Sequence, residues 1–168
     1  MTTEDIQDPV PSWGSINNFV TLGGPVVSPE IDRLADRQLI SETVSRYAWA
    51  FDERRKDVLT ACFTETVTFA GSVAGNLDVG PFEGRATVVE WLAAFWDTQV
   101  EQRRHCVLNV VVEDLTASSA NALGFLLLTA AENGAVRVVT TGFYRLRMAK
   151  QDGAWRIDHF FAGFDAGF

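Results

Sequence analysis

Cysteine and histidine are scarce in this chain of 168 residues, two of each. Cys62 and Cys106 stand in apolar settings with no CxxC and no dense spacing, so they read as buried free thiols and the expected location is the cytoplasm. Two histidines among scattered acids give no HxxH or HExxH pattern, so no metal is expected. The glycines form neither a GxGxxG after a strand nor a Walker loop, and the chemistry is read as cofactor-free. Basic residues are outnumbered 14 to 22 by acids, and the net charge of −8 argues against nucleic acid and anionic membranes. Arg54-Arg55-Lys56 reads as a helix end complementing its dipole, not as a binding stripe. No apolar run approaches the roughly 18 residues of a membrane-crossing helix. The opening Met1-Thr2-Thr3-Glu4-Asp5 lacks the basic region of a signal peptide.

Apolar bulk is plentiful. Hydrophobic residues make up 47% of the chain against 21% charged, with five Trp and twelve Phe. That composition fits one globular domain burying roughly two-thirds of its unfolded surface. The aromatics serve a core, and they also suit a pocket for flat, apolar ligands.

Residues 1–27 differ from the remainder. Pro9, Pro11, Gly14, Gly23, Gly24 and Pro25 deny them regular structure, yet Trp13, Phe19, Val20 and Leu22 are too apolar for a free tail. They read as an extended arm packed on the 28–168 domain or on a neighbouring subunit. Ser28-Pro29-Glu30 then starts a helix, and Ile40, Val44, Tyr47, Ala48 and Phe51 recur on one stripe until the basic triplet. Some 26 residues would span on the order of 39 Å. Asp57 is placed to cap a short helix through Phe63. A strand is expected over 67–71, a loop or ragged hairpin over 71–84, and a third helix over 85–98, apolar on more than one side. Four strands follow at 105–113, 121–131, 136–147 and 155–161, with hairpin turns at Asn133-Gly134 and Asp152-Gly153. The fold class is α+β: a curved antiparallel sheet wrapped by about three N-terminal helices as an open-ended cone around an apolar pocket.

Two ionisable residues are drawn toward that pocket. Asp52 falls roughly 90° from the centre of the apolar stripe, on its flank, in a last turn where negative charge is disfavoured. The alternative is a solvated residue paired with Arg55 or Lys56. Strand alternation puts His105, Val107, Asn109 and Val111 on one face, and a face holding His and Asn must find them hydrogen-bond partners. The alternative for His105 is a satisfied core histidine. His159 shares a face with Trp155 and Ile157 and reads as packing. Tyr47 lies on the stripe with its hydroxyl available to a ligand oxygen. Cys106 points away from His105 and is no nucleophile.

These features resemble the nuclear transport factor 2-like superfamily, and within it the SnoaL-like group. The resemblance rests on Tyr47-x-x-x-x-Asp52, His105-x-x-x-Asn109 and Asp152-Gly153-x-Trp155-Arg156-Ile157, and it covers about residues 30–162. It implies the cone fold and relatives such as scytalone dehydratase, bile-acid dehydratase, hexachlorocyclohexane dehydrochlorinase, polyketide cyclases and ketosteroid isomerase. It further implies an Asp52–His105 proton-transfer pair, a functional role for Tyr47, and a homodimer or homotrimer. Phe51 stands where scytalone dehydratase has a tyrosine, which counts against that substrate. The expected function is a lyase or isomerase of the dehydratase type, acting on a small hydrophobic cyclic metabolite. Tyr47, Asn109, Phe51, Phe69, Trp91 and Phe95 are expected to contact it. The alternative is a non-catalytic binding module, or the small subunit of a ring-hydroxylating dioxygenase-like assembly.

Overall fold

The computed structural model describes residues 31–167; the arm expected over 1–27 and the cap at Ser28 lie outside them. Helix α1 runs Ile31–Asp52, about 33 Å at 1.5 Å per residue. Its stripe is the one read from the spacing: Ile40, Val44, Tyr47, Ala48 and Phe51 are all buried. Fully burying a side chain such as Ile40 contributes roughly 1.5–3 kcal/mol. The helix ends in a Schellman turn. Arg55 N–H reaches back to the Ala50 carbonyl and Arg54 N–H to that of Phe51, with Arg54 in the left-handed region at φ 54°.

Helix α2 spans Lys56–Ala61, and Asp57 lies in its first turn, bonded to Arg55, rather than capping it. Strand β1, Phe63–Val73, pairs with β2, Leu77–Glu83, so the glycine-rich stretch is a hairpin. Pro81 is tolerated there because β2 is an edge strand. Helix α3, Arg85–Ala94, passes into a single 3₁₀ turn at Phe95–Asp97.

Strands β3 (Gln102–Glu113), β4 (Ser119–Glu132), β5 (Ala135–Gln151) and β6 (Ala154–Phe164) form the expected antiparallel meander. The turns at Asn133-Gly134 and Asp152-Gly153 have positive φ at both residues, as two-residue hairpins of this kind require. The curved sheet has the order β2-β1-β6-β5-β4-β3. It is not wholly antiparallel: β1 runs parallel to β6, and α3 with its 3₁₀ turn carries the chain from the β2 edge to β3 at the opposite edge. The inner face carries Leu126, Leu128, Tyr144, Leu146, Met148 and Phe160, all buried. The opposite face leaves Phe125 61% exposed.

Polar clamps fix α1 over the inner face. Asp36 accepts hydrogen bonds from Trp155 Nε1 at 2.7 Å and Lys150 Nζ at 2.8 Å, and Arg37 donates to the Val112 carbonyl at 2.6 Å.

Candidate active site

Among the described residues strand β3 is the other edge of the sheet, so its outward N–H groups have no strand there to pair with. Asp52, the last residue of α1, satisfies one of them. Its Oδ2 accepts the backbone N–H of His105 at 2.7 Å, while Oδ1 lies 2.6 Å from His105 Nδ1. The surrounding chain is stitched the same way. Gln102 Nε2 donates to the Asp52 carbonyl at 3.4 Å, Arg54 to that of Gln99 at 2.6 Å, and Arg104 to Glu53 Oε1 at 2.9 Å. The Asp52 and His105 side chains are only 5% and 9% exposed, so their hydrogen bonds are little diluted by water.

A carboxylate only accepts, so Nδ1 carries the proton in this bond, and in the neutral imidazole Nε2 then keeps its lone pair. The opposite arrangement would put two acceptors face to face. Asp52 therefore sets the tautomer as well as the position of the ring.

The pair backs onto a cavity of about 280 Å³. Tyr47, Phe51, Phe69, Trp91, Phe95 and His105 all line it, so the structure gathers these sequence-derived candidates in one place. Trp91 stacks on Phe82 and lies tilted against Phe69, with centroids 4.4 and 4.9 Å apart. Two further side chains contribute polarity to this aromatic wall, Tyr144 and Arg103. The Tyr47 and Tyr144 rings meet edge-on at 6.1 Å, and neither hydroxyl has a hydrogen-bond partner among the described residues. Burial, and then the nearby Asp52 charge, push the Tyr47 hydroxyl well above its ordinary pKa. Tyr144 is raised in the same sense by burial, Tyr47 and Asp52, so both remain protonated donors at neutral pH.

Asn109 does not join them. The β3–β4 register slips between Leu108 and Val111, and Asn109 sits in that bulge at φ 52°, exposed and away from the cavity lining. The extra residue turns Val110 and Val112 inward, correcting the simple alternation read for Asn109 and Val111. A second slip, between Arg147 and Met148 on β5, moves His159 to the outer face opposite Arg147 instead of beside Trp155 and Ile157. Burial and Arg147 lower its pKa. Arg103 and Tyr144 were accessible to alternation: Arg103 shares its parity with His105, and Tyr144 alternates with outward Arg145 and Arg147.

Of the thiols, Cys62 is buried and its pKa is pushed up to about 11 by that burial, whereas Cys106 is half-buried. Among the described residues no three His, Cys, Asp or Glu side chains cluster as metal ligands, and no helix is long and apolar enough to cross a membrane. A larger groove of about 610 Å³ between α1, α2 and the β5–β6 turn is lined in part by Glu42, Arg46 and Asp57 and lies away from the dyad.

Known proteins share the fold that carries this arrangement. The SnoaL-like domain model matches residues 32–160. No curated protein matches in sequence. A protein of unknown function from Mycobacterium tuberculosis superposes with a TM-score of 0.70 at 22% identity, covering 84% of this chain and 78% of its own. A protein assigned as the beta subunit of an aromatic-ring-hydroxylating dioxygenase from Novosphingobium aromaticivorans gives 0.69 at 15%, covering 83% and 94%. Hexachlorocyclohexane dehydrochlorinase from Novosphingobium barchaimii gives 0.64 at 19%, covering 80% and 90%. At these identities the likeness is one of fold.

Proposed function

The chain belongs to the SnoaL-like domain family, and from that premise we propose that it is a cofactor-independent lyase or isomerase acting on a small hydrophobic cyclic metabolite. The observation that carries the reading is the doubly bonded Asp52–His105 pair against an aromatic cavity. His105 Nε2 takes a proton from a carbon next to a carbonyl or a leaving group, and the C–H electron pair moves into the substrate. Asp52 stabilises the imidazolium formed, as a buried carboxylate beside a general base does. In an elimination the electron pair expels the leaving group, and a departing hydroxide takes the proton back as water. In a double-bond shift the same proton returns to a different carbon. Tyr47 and Tyr144 hold a substrate oxygen with hydroxyls positioned before the reaction begins. The dehydrochlorinase of the same fold lends weight to elimination.

A cavity of about 280 Å³ lies at the lower edge of the usual range for ligand sites, which suits a compact ring system. The test is proton exchange: cyclic ketones incubated in deuterated buffer should gain deuterium at the α-carbon with wild type and not with His105→Ala. Equal exchange in both proteins would sink the mechanism.

The dioxygenase beta-subunit resemblance and exposed Phe125 favour a second reading, a subunit that supports a larger chain. Sizing the protein in extracts of its source cells separates the two. A complex with a larger iron-containing chain supports the subunit reading, and a dimer or trimer of this chain alone supports the enzyme.

A further inference from the structure

We propose that residues 1–27 fold back over the outer face of the sheet and lay Phe19, Val20 and Leu22 along an aromatic row that crosses β4, β5 and β6. The proposal concerns a surface on the far side of the sheet from the cavity, so it stands or falls separately from the chemistry of the dyad.

Strand register builds the row. Leu108 on β3 lies opposite Phe125 on β4, and Phe125 lies opposite Phe143 on β5. Phe143 stacks on Phe161 of β6, with centroids 6.1 Å apart and planes at 24°. The Arg145 guanidinium lies over both rings, at 4.9 and 6.0 Å. Phe125 and Leu108 are 61% and 46% exposed. Leu123 and Leu127 flank Phe125 along β4 on the same face. Phe143 and Arg145 each engage further groups, so what this face offers is apolar area and not a spare donor. At about 4.8 Å between strands, and about 14 Å from Leu123 to Leu127, the apolar area is roughly 14 by 14 Å. That is on the order of 200 Å², about a quarter of what each partner gives to a stable dimer, yet enough to seat a few residues of extended chain.

The N-terminal segment is tethered beside this face. Helix α1 begins at Ile31, and Arg33 Nη2 donates to the Leu115 carbonyl at 3.4 Å, so the preceding residues join the fold at the β3–β4 connection. Phe125 lies six residues along β4 from Ser119, about 20 Å away. Phe19 lies twelve residues before Ile31, which allows up to about 40 Å of extended chain. Pro9, Pro11 and Pro25 lack the N–H that a ladder needs, so the segment suits a surface of side chains better than a place beside β2 or β3. Its charge agrees. Residues 1–27 carry Glu4, Asp5 and Asp8 and no Lys or Arg, while Arg145 and Arg147 border the row. That attraction acts at a distance and needs neither guanidinium to be unpaired. A tethered segment also competes at an effective concentration of the order of mM, ahead of a second copy in dilute solution.

The experiment is photo-crosslinking of the full chain with p-benzoylphenylalanine in place of Phe19, the products being mapped by mass spectrometry. Links within one chain to the outer residues of β4, β5 and β6 around Phe125, Phe143 and Phe161 are expected. Cys106 gives a second readout, because it lies opposite Leu127 on the same outer face and is half-buried, whereas Cys62 is buried elsewhere. Alkylation of Cys106 by iodoacetamide should be about tenfold faster in the full-length variant Phe19→Asp/Leu22→Asp than in wild type. The wild-type rate should not change on about hundredfold dilution, since a tethered cover is indifferent to protein concentration. Links between two chains, or a rate that rises on dilution, would assign the face to a second copy and overturn the proposal. Links to the groove between α1 and α2, no links at all, or an unchanged rate in the double variant would overturn it as well.

Discussion

The Phe51 ring stands edge-on to the His105 imidazole, with centroids 5.0 Å apart and planes at 75°. Its neighbour Asp52 holds the same imidazole through Nδ1. Two consecutive helix residues thus fix one histidine, by packing on one side and by hydrogen bonding on another. Ring orientation and protonation are consequently separable by mutation.

Asp52→Asn keeps the size of the side chain and changes only what it offers. An amide that presents its NH₂ to Nδ1 moves the ring proton to Nε2. Nitrogen-15 NMR of the imidazole should show an Nδ1–H tautomer in wild type and an Nε2–H tautomer in the variant. α-Proton exchange should fall by about 10²–10⁴-fold. The same tautomer in both proteins would show that Asp52 does not set it.

Tyr47→Phe and Tyr144→Phe should separate fold from ligand. Neither hydroxyl has a partner among the described residues, so each variant should melt within about 3 °C of wild type. Affinity for 1-phenylethanol, a ligand with one hydroxyl, should drop about fivefold in each. A large fall in melting temperature with unchanged affinity would make the hydroxyls structural.

Asp36 supplies a pH dependence whose sign follows from its partners. Hydrogen bonds from Lys150, and then from Trp155, hold its carboxyl below the ordinary range in the folded protein. Its contribution is therefore complete above the unfolded value of about 4 and is lost as pH falls through the folded one. Asp36→Ala should cost about 2 kcal/mol at pH 7 by leaving the buried Trp155 N–H without its acceptor. The gap in urea midpoint between wild type and variant should narrow as pH falls from about 6 to about 3. A constant gap would mean that the carboxylate's charge does not matter.

Gly142 on β5 lies against the Gly163–Phe164 backbone of β6. A Cβ there would stand 2.0 Å from the Gly163 carbonyl oxygen, a backbone atom held by the sheet. Gly142→Ala should destabilise the protein by about 3 kcal/mol or more, read as a lower urea midpoint. By contrast a Cβ at Gly84 meets nothing within 4 Å, and its positive φ alone sets the cost there.

Much of this was legible because the signals were local. The Ile40–Phe51 stripe repeats at helical spacing, and Asn133-Gly134 and Asp152-Gly153 carry the chemistry of their turns. Asp52 and His105 were singled out one at a time, each by an unusual place in its element. What could not be read were events that shift phase without a strong residue signature. One extra residue at Asn109 reverses which side chains face inward, and the slip opposite Arg147 does so for His159. The parallel pairing of β1 with β6 joins segments some ninety residues apart, for which neither strand's own pattern is informative. Tyr144 and Arg103 followed from plain alternation, but neither departs from its surroundings enough to attract notice before a cavity is known.

The Schellman turn at Arg54 also has a consequence for how this chain tolerates change. Because it fixes where α1 stops, the azimuth of Asp52 is counted from the residues clamped upstream at Asp36 and Arg37. Inserting or deleting one residue between those clamps and Asp52 would swing the carboxylate by about 100° around the helix axis, well outside hydrogen-bond reach of His105. The helix thus works as a combination lock with one open setting. Its composition is free to drift while its residue count is not, and length variants among related chains should fall in the loops that follow it.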